Sequence, residues 1–235
     1  MQASPDYRDQ EILHHFASRA DALCSMLATG REISTKSYSI EQQINVLLDL
    51  GYSKSEVSEV FMTCNLARDV PKKALPSDLT ITQYNPANPT QRSTRGLIQA
   101  DAFSGAEAPD DLVAWHLRNV DRMQMYSDNN IDFLLSTKDG ESLAFASMQL
   151  DYKNLIAEIE PVGTRTKAQR QGFARSLLLH CLSYLRGQGI KTVYIRTDVN
   201  NRPAISAYES VGFEIRDHLY TYQREIRITY KRVKS

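Results

Sequence analysis

The stretch Gln169-Arg170-Gln171-Gly172-Phe173-Ala174 lies between a β-strand pattern and a strongly amphipathic helix pattern. A helix is predicted over 172–186 because apolar side chains recur at helical spacing, at Phe173, Leu177, Cys181, Leu182 and Leu185. The first turn of a helix exposes unpaired N–H groups and the positive end of the helix dipole, and a glycine lets phosphate oxygens approach the backbone. The stretch therefore predicts a phosphate-binding loop, although ordinary loops also place a glycine before a basic helix.

Basic residues add local positive charge to this stretch. Four basic residues lie in or beside it, namely Arg165, Lys167, Arg170 and Arg175. The whole chain has 28 Lys and Arg against 28 Asp and Glu, so it has no net field to attract nucleic acid or anionic lipid from a distance. We expect a local anion site and neither a nucleic-acid nor a membrane partner.

Composition indicates a folded protein without a metal. The 235 residues are 42% hydrophobic and 24% charged, which is typical of globular chains. The first 20 residues lack an apolar signal-peptide core and no apolar run could cross a bilayer, so a cytoplasmic location is expected. Cys24, Cys64 and Cys181 are not in a CxxC spacing, and the histidines show no metal-ligand spacing.

Outward from the loop, the order of predicted elements is one strand, two helices, three strands, helix, strand, helix and two strands. The predicted ranges are 79–82, 90–102, 110–126, 131–137, 143–151, 154–162, 172–186, 192–198, 203–211, 213–223 and 225–233. Before them come helices at 11–28 and 39–50 and a strand near 57–62. Two prolines and several charges in 67–76 mark a boundary, so we expect an N-terminal extension at 1–75 and the main domain at 76–235.

Two ordered motifs resemble those of the GNAT acetyltransferase superfamily. Gln169-x-x-Gly172-x-Ala174 resembles the family pattern Arg/Gln-x-x-Gly-x-Gly/Ala, and Asn201 followed by Ala207-Tyr208-Glu209-Ser210-Val211-Gly212-Phe213 resembles the family's second signature. The resemblance covers residues 76–235. It implies an α/β fold with a mixed, mostly antiparallel central sheet and helices on both faces, plus the N-terminal helical and strand extension.

The resemblance also implies an activity. GNAT enzymes move an acetyl group from acetyl-CoA directly to a primary amine, without a metal. We therefore expect acetyl-CoA as co-substrate, a small-molecule or peptide amine as acceptor, and a monomer or homodimer. Two alternatives stay open: a CoA-binding protein without turnover, and an acyltransferase for a longer chain or a hydroxyl acceptor.

Site residues follow from the same resemblance. The backbone of Val162, Gly163 and Thr164 would pair with the pantetheine arm, Asn201 would contact that arm, and Tyr208 would lie near the sulfur. The loop amides would hold the pyrophosphate, at Gln169, Arg170, Gln171, Gly172, Phe173, Ala174 and Arg175. The family often has proline where this chain has Thr166, which predicts a less rigid loop.

The chemistry of amine acetylation requires a base, an oxyanion donor and an acid. An ordinary alkyl ammonium has a pKa near ~10.4, so it must lose a proton before attack. Glu158 is the candidate base because its place, 172 − 158 = 14 residues before the motif glycine, is similar to that of the glutamate base in the histone acetyltransferase branch of the family, and Glu160 is the substitute. Both could instead face solvent or attract the acceptor by charge.

Tyr208 is the candidate acid because a phenol, with a pKa of ~10, stays protonated at neutral pH and can donate to a departing thiolate. It could instead simply pack on the sheet. The N–H of Val162 or a neighbour is the candidate oxyanion donor. The histidines are expected to be packed or surface residues, and the single tryptophan, Trp115, is expected in the core or in the acceptor cleft.

Residues 44–52 resemble residues 205–213 at an offset of 205 − 44 = 161, and the same offset lays 12–28 over 173–189. This predicts a tandem arrangement with a truncated first copy, as in mycothiol synthase-like members of the family. Leu47 stands in the position of Tyr208, so such a copy would be inert. Two unrelated helices that each end in a glycine and an aromatic residue would explain the pattern equally well.

Overall fold

A computed structural model describes residues 18–19, 32–38, 40–68, 71, 75–105, 109–126 and 129–225. Its strands are β1 (Glu32–Ser37), β2 (Ser53–Asn65), β3 (Leu79–Gln83), β4 (Asn130–Thr137), β5 (Ser142–Asp151), β6 (Ile156–Thr164), β7 (Thr192–Asp198) and β8 (Glu214–Glu225). Its helices are α1 (Glu41–Asp49), α2 (Pro89–Ser104), α3 (Asp110–Tyr126), α4 (Phe173–Gly187) and α5 (Arg202–Glu209), with a 3₁₀ turn at Thr166–Ala168.

The chain divides into two compact units. The larger unit comprises described residues from Met62 to Arg196 and Asn201–Ile215. In it the strand order is β7-β6-β5-β4-β3, with β3/β4, β4/β5 and β5/β6 antiparallel and β6/β7 parallel. The expected mixed α/β architecture with mostly antiparallel pairing is confirmed.

Adjacent residues of β4 show that helices cover both faces of this sheet. Leu134 packs in a cluster with Ile98 of α2 and Val120 of α3. Phe133 meets the rings of His180 and Tyr184 of α4 edge-on, with centroids 4.6 and 5.2 Å away. Because successive strand residues point to opposite faces, α2 and α3 lie on one face and α4 on the other.

The smaller unit contains β1, α1, β2 up to Phe61, Thr197–Asn200 and β8 from Arg216. β1 pairs antiparallel with β8, from Glu32 opposite Glu225 to Ser37 opposite Tyr220. β2 lies on the other side of β8, and the Ser58 hydroxyl donates to the Leu219 carbonyl at 3.2 Å. The local order is therefore β1-β8-β2.

The offset of 161 residues recurs in local structure. α1 and α5 begin at 41 and 202, and β2 and β8 begin at 53 and 214, so both differences are 161. The N–H groups of Gly51 and Tyr52 donate to the carbonyls of Leu48 and Leu47, and those of Gly212 and Phe213 donate to the carbonyls of Glu209 and Tyr208. Gly51 and Gly212 both have positive φ, +81° and +101°, which explains glycine at both turns. The β-α-β segment from β1 to β2 thus repeats the local structure of β7 to β8.

Most predicted elements are present, with their ends shifted by a few residues. The strand predicted at 57–62 is longer, β1 was not predicted, and β8 continues through residue 225 without the predicted break. The helix predicted at 11–28, its overlay on 173–189, Cys24 and the strand predicted at 225–233 lie largely or wholly outside the described residues. Cys64 and Cys181 are buried free thiols.

Candidate active site

β6 and β7 begin as a pair and then separate. Their parallel register has three pairs, from Ile156 opposite Thr192 to Glu158 opposite Tyr194, although β6 continues to Thr164 and β7 to Asp198. A gap therefore opens between the strands after Glu158. Backbone groups of β6 beyond this point do not pair with β7, so they can face a ligand in the gap.

A bulge lies where the gap opens. Ala146 of β5 is opposite Val162, whereas Met148 is opposite Ile159, so β6 has one extra residue in the segment Glu160–Pro161. Bulges re-aim the strand and disrupt the ladder locally. The bulge directs the remaining residues of β6, Val162 to Thr164, along the edge of the gap.

Gly163 is held in a crowded position on β6. A Cβ on this residue would lie 2.5 Å from Phe145 Cε1 and 2.9 Å from Ala102 Cβ. The glycine therefore allows the end of α2 to approach β6 closely. This packing role was not expected from the sequence, which associated Gly163 only with the pantetheine arm.

The loop from β6 to α4 presents backbone N–H groups at the start of the helix. Arg170 and Gly172 both adopt left-handed conformations, with φ of +60° and +81°. Gly172 is the N-cap of α4, has no side-chain cap, and has nothing within 4 Å of an added Cβ. Left-handed residues in such a loop can turn nearby amides to the same side, and an uncapped helix start carries partial positive charge. The geometry suits a phosphate group.

Two buried side-chain atoms beside this loop lack hydrogen-bond partners within the described chain. They are Thr164 Oγ1 and Arg165 Nε, at the end of β6 and the start of the loop. Buried polar atoms usually have a hydrogen-bond partner. Two unpaired donors on neighbouring residues are therefore consistent with a polar ligand beside the start of the loop. With the uncapped helix start, these atoms fit the phosphate and amide groups of CoA.

Thr166 anchors the loop to α2. Its N–H and its hydroxyl donate to Asp101 Oδ1 at 3.0 and 2.6 Å. A proline at this position could make neither bond. The looser loop that we expected from the absence of proline is therefore offset by two hydrogen bonds to a carboxylate.

The other polar side chains of the loop are exposed or partly buried. Gln169 Nε2 donates to the Thr164 carbonyl at 3.4 Å and Gln171 Nε2 donates to the Lys167 carbonyl at 3.1 Å, so both brace the loop. Lys167 forms an ion pair with Glu141. The remaining predicted residues of this set lie at the loop end and in the first turn of α4, at Arg170, Phe173, Ala174 and Arg175.

Tyr208 lies in the last turn of α5 and is buried. Its ring packs near Phe213, with centroids 6.1 Å apart. Burial raises the pKa of the phenol to about 12, and the charge of nearby Glu160 adds to the shift. The hydroxyl is therefore protonated at neutral pH and is close enough to the bulge of β6 to sense its carboxylate.

Asn201 is the N-cap of α5. Its Oδ1 accepts from the Ala204 N–H at 3.3 Å, which satisfies one of the free N–H groups of the helix start. The structure thus gives Asn201 a helix-capping contact in addition to the predicted contact with CoA.

Glu158 and Glu160 are joined by a residue that the sequence did not single out. Arg196 Nε donates to Glu158 Oε1 at 3.2 Å, and Arg196 Nη2 donates to Glu160 Oε2 at 2.9 Å. Both carboxylates are partly exposed. The alternative that both carboxylates simply face solvent is therefore incomplete, because Arg196 on the other side of the gap pairs with both of them.

A buried polar network was also missed. Arg95 of α2 is fully buried, lies over the Phe145 ring at 3.5 Å, and donates to Asp132 Oδ2, Gln99 Oε1 and Ser147 Oγ at 2.9, 2.7 and 2.8 Å. Burial lowers the pKa of its guanidinium and Asp132 counteracts this. Ser147 is the β5 residue that lies opposite the bulge, so the network attaches α2 to the sheet beside the bulge.

His116 continues this network, with Nε2 3.4 Å from the Ser104 hydroxyl. Gln99 Oε1 accepts from Arg95, so the Gln99 amide nitrogen must donate to His116 Nδ1, 3.2 Å away. His116 is therefore neutral with its proton on Nε2, and burial lowers its pKa. As expected it is a packed histidine, and neighbouring Trp115 is half-exposed rather than in the core.

Neither a metal nor a membrane span emerges from the described residues. No group of three or more His, Cys, Asp or Glu in the part of the chain that is described could hold a metal ion. The helices among those residues all lack the combined length and apolar character needed to cross a bilayer.

Comparison with known proteins identifies the family. Residues 100–213 match the family described as Acetyltransferase (GNAT) family, a range that includes the separating strands, the loop and Tyr208. The chain is a member of the GNAT superfamily. The resemblance inferred from the two motifs is confirmed.

Relatives of this GNAT protein include mycothiol acetyltransferases. Those of Streptomyces avermitilis and Streptomyces coelicolor are 31% and 24% identical over 157 residues, which is 67% of this chain and 50% of each relative. That of Pseudarthrobacter chlorophenolicus is 26% identical over 219 residues, 89% of this chain and 64% of the relative. The chain spans about half the length of the first relatives it matches.

Solved structures share the fold of the GNAT protein. A tandem GNAT protein from the clavulanic acid biosynthesis pathway has a TM-score of 0.73 at 15% identity, covering 97% of this chain and 74% of its own. A GCN5-related N-acetyltransferase from Sphaerobacter thermophilus has a TM-score of 0.63 at 17% identity, covering 95% and 70%. At these identities the likeness concerns the fold alone.

Proposed function

We propose that this GNAT protein is an acetyl-CoA-dependent N-acetyltransferase that moves the acetyl group directly to a primary amine of a small molecule or peptide. The observation that carries the proposal is the gap between β6 and β7 beside an uncapped helix start. A diphosphate at α4 would direct a pantetheine arm along Val162–Thr164 and its thioester into the gap. Membership of the GNAT family supports this assignment.

In this proposal, residues of the chain supply the base, the oxyanion donors and the acid of the transfer. The carboxylate of Glu158 accepts a proton from the acceptor ammonium, directly or through water, with Glu160 as the substitute. Charge developing on the thioester oxygen is stabilised by backbone N–H groups near Val162. The Tyr208 hydroxyl donates a proton to the departing sulfur, and its raised pKa of about 12 keeps it protonated for this role.

The rival proposal, a CoA-binding protein without turnover, shares the loop but needs neither Tyr208 nor Glu158. Tyr208 sits where the charge of Glu160 reaches it, and both glutamates lie at the opening of the gap, which favours turnover. The printed names of the relatives also favour turnover, since those proteins are called mycothiol acetyltransferases. The cytoplasmic location and the monomeric or homodimeric state stay predictions.

A thiol-release assay with acetyl-CoA and a panel of primary amines tests the proposal. We expect release of CoA above the rate without amine for at least one acceptor, and acetylated amine in equal amount. Longer acyl-CoA esters and hydroxyl acceptors, run alongside, test the third alternative. Binding of CoA without release for any pair would favour the non-catalytic alternative, and calorimetry without CoA binding would contradict both.

A further inference from the structure

Arg196 connects the two strands where their backbone pairing stops. The last backbone pair is Glu158 with Tyr194. Glu160 and Arg196 each lie two residues further along their strands. The guanidinium then reaches back to Glu158 at 3.2 Å and across to Glu160 at 2.9 Å. A side-chain bridge thus takes over where the ladder ends.

Glu158 lies on the face of the sheet that carries α2. Gln149 of β5 is opposite Glu158, and Ser147, two residues earlier, bonds to Arg95 of α2. Gln149 of β5 and Tyr194 of β7 lie opposite Glu158 on its two neighbouring strands, and the charge of Glu160 contributes to the raised pKa of the buried Tyr208.

Without the arginine, the two neighbouring carboxylates would repel each other and move apart. With it, both carboxylates are held at the opening of the gap. The planar guanidinium suits this task because its fixed donors can serve two carboxylates at once, whereas a lysine ammonium has no such fork.

We propose that Arg196 is a positioning residue of the transfer site, which holds Glu158 in the orientation to take a proton from the acceptor amine and uses Glu160 as its second attachment. The proposal rests on the proposed function. Arg196 acts through the glutamates and does not touch the reacting atoms. No bond is made or broken by it.

Kinetics of the full chain test the role in transfer. We expect Arg196→Gln to lower kcat/KM for the amine by about 10²-fold, as misplacement of a catalytic group does, with the Kd for CoA within about twofold of the wild type. Arg196→Lys should recover part of the loss. Guanidinium ion added to Arg196→Ala should restore activity in a saturable manner. The matched control is Arg68→Gln, which breaks an exposed Arg–Glu pair of 2.8 Å elsewhere in the same unit.

A double-mutant cycle in urea tests the bridge without any activity measurement. In the Arg196→Gln background, Glu160→Gln should raise the unfolding midpoint because it removes the repulsion, whereas in the wild type it should lower the midpoint or leave it unchanged. If the effects of the two substitutions on the unfolding midpoint were additive, Arg196 would not bridge the two glutamates. If Arg196→Gln left kcat/KM unchanged, Arg196 would have no role in the transfer. If the wild type releases no thiol with any amine, the proposed function is wrong. The double-mutant cycle still shows in that case whether Arg196 bridges the two glutamates.

Discussion

Tyr208 combines burial, a protonated hydroxyl and proximity to Glu160, and these properties lead to a kinetic prediction. Tyr208→Phe removes the proton donor but keeps the ring that packs near Phe213. We expect kcat to fall about 10²-fold or more, with the Kd for acetyl-CoA within about twofold, because general acids contribute that much. Tyr152→Phe, at an exposed tyrosine, is the matched control and should behave as the wild type. An unchanged kcat would remove Tyr208 from the chemistry.

The raised pKa of Tyr208 also leads to a prediction of how the free energy of unfolding changes at alkaline pH. In the unfolded chain a tyrosine ionises near ~10, whereas burial raises the pKa of folded Tyr208 to about 12. Between these values the folded state binds more protons, so stability falls as pH rises, by up to about 1.4 kcal/mol per pH unit. Urea unfolding of wild type and Tyr208→Phe at pH 8, 9, 10 and 10.5 isolates this contribution. Parallel curves for the two proteins would contradict it.

Gly163 sets the distance between α2 and β6, so its substitution tests the packing of an element. Gly163→Ala places a methyl group 2.5 Å from the Phe145 ring and 2.9 Å from Ala102. We expect a loss of about 1–3 kcal/mol in the free energy of unfolding, the usual cost of overpacking. Gly187→Ala is the control, because nothing lies within 4 Å of its added Cβ. Equal unfolding midpoints for the two variants would show that β6 and α2 can move apart freely.

The loop between β6 and α4 owes its shape partly to the contact with α2 through Asp101. Thr166→Val removes the hydroxyl that donates to Asp101 at 2.6 Å, whereas Thr166→Ser keeps it. We expect the Kd for CoA to rise about threefold to tenfold in the valine variant, which corresponds to the loss of one hydrogen bond to a carboxylate. Calorimetry measures the affinity. If Thr166→Val bound CoA as tightly as the wild type, the hydrogen bond between Thr166 and Asp101 would not contribute to the phosphate site.

At the scale of the whole molecule, the end of β2 belongs to the larger unit although it precedes the boundary predicted at 75/76. Met62, Cys64 and Leu66 are buried there, and the Leu66 N–H donates to the Lys191 carbonyl at 2.9 Å. We predict that a chain of residues 76–235 is much less stable than the full chain. Each lost buried Leu or Met side chain accounts for about 1.5–3 kcal/mol, against a typical total of about 5–15 kcal/mol.

Urea unfolding of the full chain and of residues 76–235 measures this difference. A chain of residues 53–235, which keeps β2, is the control and should recover part of the stability. If residues 76–235 unfold at the same midpoint as the full chain, the end of β2 contributes nothing to the larger unit.

The local repeat is a further property of the whole chain. Its second copy contains Asn201 and Tyr208, whereas the first has Ile40 and Leu47 at the corresponding positions. We propose that residues 32–65 are the closing β-α-β segment of a first GNAT copy that lacks the chemistry. The recurring turn geometry at Gly51 and Gly212 supports a common origin over two unrelated helices.

The family and most of the element order could be predicted from the sequence, because they depend on local periodicity and on motifs only a few residues long. β1 escaped prediction since its residues, EISTKS, alternate too weakly to stand out, and its pairing with β8 joins residues nearly 190 positions apart. Thr166 was read as a loss of proline, and its bonds to Asp101 were invisible.

Only the tertiary structure decided which distant residues share a site. Arg196 lies in an unremarkable strand, TVYIRTD, and nothing local indicates that it meets Glu158 and Glu160. The register of β6 against β7, the bulge at Glu160–Pro161 and the end of their ladder bring the three together. Strand register comes from the packing of whole faces, and a shift of one residue would reverse every side chain, so short motifs do not contain it.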